Sequence, residues 1–170
     1  VVRPTWFYAV GEALFAVPQD QKKSPATFAW TGAPKGFGFA SDLEHLAGLG
    51  RRAARPGTVE DIVESIAIGG RDLRLAKRVV DGVPLRVAVL GQYPFKDQDF
   101  ARKAFEILKT ERSFWGDRAQ PFLIAMSPTI GAPGRISLGG TGRRDAFALW
   151  VDTTTELADL RWLLAHEYFH

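Results

Sequence analysis

The sequence predicts an α+β fold: a β-rich N-terminal segment, then a twisted mixed sheet with one packing helix, then a C-terminal helix. Three observations carry this. Short runs of aromatic and β-branched residues recur between Gly and Pro breaks. Asp81-Gly82 stands between two apolar runs, a strong hairpin signal. The stretches 98–112 and 153–170 switch to helical period.

The elements follow in order. Trp6-Phe7-Tyr8 and Val10, then Leu14-Phe15 and Val17, flank Gly11 and end at Pro18, which predicts two short strands or a hairpin over 1–19. Residues 20–40 alternate turn formers with Phe28, Trp30, Phe37 and Phe39, predicting another strand and a tight loop. From Gly48 to Gly57 three arginines and Pro56 show no period. This is the expected boundary between 1–47, the end of a β-rich domain, and 58–170. Ile62 to Ile68 is rich in β-branched residues and closes at Gly69-Gly70; a strand is expected, with an amphipathic helix as the competing reading.

Leu73–Val80 and Val83–Leu90 form the hairpin arms, and Pro84 marks an edge or a strand end. Over 98–112, Phe100, Ala104, Phe105 and Leu108 share one helix face, and Asp97 or Asp99 is the expected cap. Phe114 to Asp117 reads as an aromatic stop, Phe122 to Met126 as a short buried strand, and Pro128 to Gly134 as a loop. Ile136–Leu138 and Ala146–Val151 read as strands around Gly139-Gly140-Thr141-Gly142. That glycine run is either a tight turn or, with Arg143, an anion cradle. Thr153-x-x-Glu156 has the form of a capping box opening a helix through Leu157, Leu160, Leu163 and Leu164 to His170.

Composition narrows the function classes. The 170 residues are 46% hydrophobic and 24% charged, which suits a packed globular chain. There is no cysteine, so thiol catalysis, disulfides and cysteine metal sites are excluded. There is no Asn, hence no N-glycosylation acceptor. No apolar run reaches the roughly 18 residues of a membrane span, so no membrane insertion is expected. The net charge is +3, and 19 acidic residues are interspersed with the arginine clusters at 51–55, 71–78 and 143–144; the charge reads as solvated surface rather than a nucleic-acid stripe. No G-x-S-x-G elbow or phosphate loop is present. His45 reads as a surface or interdomain residue, Asp42 and Glu44 as paired carboxylates with no partner site that argues for glycosidase chemistry, and Trp115 and Trp150 as core or cleft-lining aromatics. The chain opens Val1-Val2 and stops in mid-pattern, as a segment of a longer protein is expected to do.

The residues that carry chemistry come last. His166-Glu167-Tyr168-Phe169-His170 is H-E-x-x-H on an expected helix. Positions i and i+4 share a face, about 5–6 Å apart at Cβ. Two imidazoles so placed can meet one zinc ion, and Glu167 between them can reach a zinc-bound water. The competing reading is two polar residues near a helix end, where histidine suits the macrodipole.

Leu164-Ala165-His166-Glu167-Tyr168-Phe169-His170 resembles the active-site helix of the glycyl aminopeptidase family of zinc metallopeptidases, gluzincins of the thermolysin-like clan. Leu14 to Pro18, Phe114 to Asp117 and Gly139 to Arg143 resemble further segments of bacterial members, in the same order. The resemblance implies that 58–170 is the first part of a thermolysin-like catalytic domain. It implies His166 and His170 as zinc ligands, Glu167 as general base, and zinc as cofactor. It implies a peptide substrate bound along an edge strand near Gly139, Gly140 and Arg143. A glutamate ligand would come from a later helix, outside this chain.

One departure concerns specificity. In aminopeptidase members the Gly-Gly pair leads into a glutamate that holds the substrate's amine. Here Thr141-Gly142-Arg143-Arg144 follows, with no acid before Asp145, so either Asp145 substitutes or the arginines favour a carboxylate. Further expectations attach to the segment by itself: weak zinc binding, no peptidase activity, and self-association through a C-terminal helix face exposing Leu160, Leu164 and Phe169. Bacterial members point to the periplasm or cell envelope. The alternative function is a non-catalytic β-rich module that binds peptides or proteins through an edge strand, its histidine pair vestigial.

Overall fold

The computed structural model describes residues 1–32, 34–44, 57–116, 120–129 and 137–169. His45, most of the expected boundary at 48–57, Asp117, most of the loop to Gly134, and His170 lie outside them. The fold is mixed α+β, as expected. Its centre is a five-stranded sheet in the order β6-β7-β8-β10-β9, formed by Arg74–Val80 (β6), Val83–Val89 (β7), Phe122–Thr129 (β8), Leu138–Arg143 (β9) and Ala146–Asp152 (β10). β7, β8 and β10 run parallel, while β6 and β9 are antiparallel edges. A smaller sheet lies against it: Trp6–Val10 (β1), Ile66–Gly70 (β5) and Gly38–Ser41 (β3), in the order β1-β5-β3. Strands from either side of the 48–57 stretch thus hydrogen-bond in one sheet. Pro25–Ala26 (β2) pairs with Gly57–Thr58 (β4).

The hairpin forms where Asp81-Gly82 placed it. Both residues take positive φ (52° and 79°), the primed turn whose twist matches the strands, with Val80 opposite Val83. Pro84 sits at a strand end, on β7 rather than on an edge. The long helix α3 runs from Asp97 to Trp115, past the expected aromatic stop, until Gly116 at φ 69° ends it. Neither Asp97 nor Asp99 caps it, because Asp97 instead accepts from the Arg74 guanidinium. A short helix α1 (Gly11–Leu14) replaces the second N-terminal strand: Gly11 N–H bonds to Ser65 O and Phe15 N–H back to Gly11 O, turning the chain out of strand geometry. Between β4 and β5, α2 (Val59–Val63) is closed by a reciprocal Thr58–Asp61 capping box, so the run expected as one strand divides into helix and strand.

The two faces of the large sheet hold the core. Phe147, Leu149 and Val151 point to α3 and the C-terminal helix α4 (Arg161–Phe169). Ala88, Ala125, Ala146 and Ala148 point to the small sheet, under Tyr8, Ala40, Ile66 and Ile68. Leu160 and Leu164 are fully buried, contrary to the exposed apolar face expected for self-association; α4 already packs on α3 and the sheet, and of the three only Phe169 is exposed. The Thr153 capping box does not form either. Asp152 accepts from both the N–H and the hydroxyl of Thr154, making a turn, and α4 is entered through a tight helical turn at Leu157–Leu160.

Candidate functional site

Leu160, at the turn that enters α4, and Leu163, Leu164 and Glu167 of α4 lie along one face, at the i, i+3, i+4, i+7 spacing of a core stripe. Glu167 therefore points inward and is 7% exposed. Gly140 in β9 makes the room for it: a Cβ there would overlap the Glu167 carboxyl. The edge strand and the helix meet at this point because one of them has no side chain. His166, one position back, is exposed, its ring 6.1 Å from that of Trp162.

The helix is held from α3. Buried Arg112 donates from Nε to the Tyr168 hydroxyl (3.2 Å) and from Nη2 to Gln120 O (2.7 Å), and the Tyr168 ring lies 5.4 Å from Phe122. Tyr168 is one of the two unspecified positions of the motif, so Arg112 ties the motif to the core. Arg112 gave no signal in the sequence beyond an arginine near the apolar stripe of α3.

On the opposite face of β9, a Cβ at Gly139 would overlap the Trp150 indole, and Tyr8 lies 6.4 Å from Trp150. Burial pushes the Tyr8 hydroxyl up to about 12; nearby Arg143 opposes this, while Glu167 and Glu12 add to it. Glu167, Arg143 and Glu12 thus share the neighbourhood of one phenol. Arg143 pairs with Glu12, 131 residues away in the chain, and Arg144 pairs with Asp61 at 3.0 Å.

Several sequence expectations change here. Gly139 to Gly142 lies inside β9, neither a turn nor a phosphate cradle, because the strand pairs with β10 over its whole length; the bend falls after Arg143. Arg143 is at the strand end but is engaged by Glu12. Asp145 is buried at that bend, its charge felt by Asp42, rather than presented beside Gly140. Asp42 is itself buried and accepts from Ile66 N–H at 2.9 Å. Trp150 flanks the edge strand, and Trp115 is an exposed residue 5.3 Å from Phe169.

The structure brings together Glu167, Gly140, Gly139 and Arg143 around an edge strand that has no further partner among the described residues. No three His, Cys, Asp or Glu side chains converge as a metal site among the described residues. His166 and Glu167 supply a donor and a neighbouring carboxylate of the right chemistry, and the second imidazole of the motif lies at His170, outside that set.

No family model matches the chain, and no curated protein matches it. Among solved structures it is similar to an aminopeptidase N family protein from Idiomarina loihiensis, with a TM-score of 0.77 at 16% identity. That likeness covers 98% of this chain and 30% of the other, so the chain spans under a third of that protein's length. At this identity the likeness shows the fold.

Proposed function

We propose that this chain is part of a zinc-dependent metallopeptidase, of aminopeptidase type, that hydrolyses peptide bonds with a metal-activated water. One observation carries the reading: the motif glutamate, Glu167, is seated against Gly140 of a strand whose outer edge has no partner among the described residues. A peptide added to that edge by main-chain hydrogen bonds passes directly over the carboxylate. The fold shared with an aminopeptidase N family protein supports the same reading.

In this reading His166 and His170 would hold a zinc ion, with a third protein ligand from outside these 170 residues. The metal would supply the Lewis acidity that activates water for hydrolysis. Glu167 would act as the general base and as the proton donor to the leaving amine. β9 orients the extended substrate, and Arg112 holds the motif helix through Tyr168. Zinc affinity of the 170-residue chain by itself is weak, since a catalytic site needs three protein ligands.

The test is peptide hydrolysis by the protein in its natural length. Glu167→Gln lowers kcat by about 10²–10⁴-fold, the range for a general base, while bound zinc is retained. Gly140→Val displaces the Glu167 carboxylate and lowers kcat as well. Undiminished hydrolysis by Glu167→Gln contradicts the proposal. Zinc-independent peptide binding without hydrolysis would instead support the peptide-binding module.

A further inference from the structure

On the face of β9 opposite Glu167 lies a cavity of about 380 Å³ that the proposed chemistry leaves unused. Its walls include Trp6, Tyr8 and Trp150, with Arg3, Ser127, Thr129 and Ser137 as polar lining. Three of these are large aromatic rings. The volume is at the low end of the roughly 300–1,000 Å³ typical of ligand pockets, so it suits a single side chain better than a large cofactor. The cavity sits at the C-terminal ends of the parallel strands β8 and β10, where Pro128 and Trp150 lie.

The cavity reaches the start of the edge strand. Trp150 forms part of its wall, and the same indole occupies the space a side chain at Gly139 would need. Ser137, the residue before β9, lines it as well. Side chains of an added strand alternate between faces. Those on the Gly140 side meet Glu167; those on the Gly139 side run over Trp150 towards the cavity. One peptide therefore engages both faces at once.

We infer that this cavity is a specificity pocket that takes an aromatic side chain of a peptide bound along β9. The inference rests on the reading of β9 as the peptide-binding edge, but not on zinc or hydrolysis. Ring-on-ring contact with Trp6, Tyr8 and Trp150 favours an aromatic over a small or charged side chain. Among the described residues no carboxylate lines the cavity, and the Glu12–Arg143 pair lies at the other end of β9.

The test uses the whole chain and two blocked pentapeptides, one with phenylalanine at alternate positions and one with alanine there. Binding is read by tryptophan fluorescence and by the indole N–H resonances. The phenylalanine peptide binds about tenfold more tightly or better, in line with burial of one ring. Trp150→Ala abolishes the preference; Trp6→Ala, at a half-buried site, reduces it, and thermal melts verify that each variant folds. Equal affinity for the two peptides, failure of both to bind, or an unchanged preference in folded Trp150→Ala and Trp6→Ala overturns the inference. An aromatic preference in the natural-length protein, with that protein holding no zinc and cleaving nothing, supports the pocket while refuting the peptidase reading.

Discussion

The two faces of the five-stranded sheet bury similar stretches of the same strands, yet they are built on opposite plans. The face towards α3 and α4 is filled by volume: Phe100, Leu108, Phe147, Leu149, Leu160 and Leu164 are all essentially inaccessible. The face towards the small sheet is filled by closeness. Ala88, Ala125, Ala146 and Ala148 let β1, β3 and β5 approach, and a polar group is buried at one end, with Arg86, Asp42 and Asp145 each under 10% exposed. Arg86 donates to Ser41 O at 2.7 Å, and Asp42 accepts from Ile66 N–H, so the charges fasten the small sheet. A face held by volume is damaged by removal of atoms; a face held by closeness is damaged by their addition.

The largest effect expected from this contrast is on the helix face. Phe147→Ala removes a fully buried ring that contacts Phe122, and is expected to cost about 3–5 kcal/mol. Urea unfolding with an unchanged slope checks it. A loss near 1 kcal/mol would mean that the face collapses around the gap and is not held by volume.

The next effect separates the faces by pH. Burial pushes the Asp42 carboxyl from 3.8 up to about 7, with the nearby Asp145 charge adding to it and the Ile66 N–H opposing it. Between these values the folded chain holds a proton that the unfolded chain has released. Stability from this group is therefore greatest below about pH 4 and declines as pH rises to about 7, by the order of 3–4 kcal/mol. Asp42→Asn removes that decline in a pH series of melts. A decline of the same size in the variant would assign it to another group.

The smallest effect is overpacking. Ala148→Leu adds atoms where the small sheet lies close and is expected to cost about 1–3 kcal/mol. A neutral result would show that the sheets separate freely and that closeness is not what holds them.

The same contrast explains what was legible in the sequence. The helix face was, because its residues obey local periods: the stripe of α3, the leucines of α4, the Asp81-Gly82 hairpin. That His166 and Glu167 lie on one helix was legible for the same reason, since it follows the period of α4. The alanine face was not, because alanine carries no period strong enough to reveal a second sheet above it. The capping box at Thr153 failed because Asp152 O takes the Thr155 N–H and the Asp152 side chain takes the Thr154 N–H, making a turn instead, and the N-terminal hairpin failed because Gly11 bonds to Ser65, 54 positions later. The surroundings of Glu167 were partly hidden too. That an edge strand lies near Gly139-Gly140 followed from the family resemblance. That Gly140 receives the carboxylate, that Glu12 engages Arg143, and that Arg112 holds Tyr168 depend on contacts far apart in the chain.

The most direct test of the account is the zinc content of the purified natural-length protein beside its His166→Ala variant. The account predicts about one zinc per chain, the occupancy of a single catalytic site, and little or none in the variant. No zinc in the parent protein, or the same zinc in both, would contradict it.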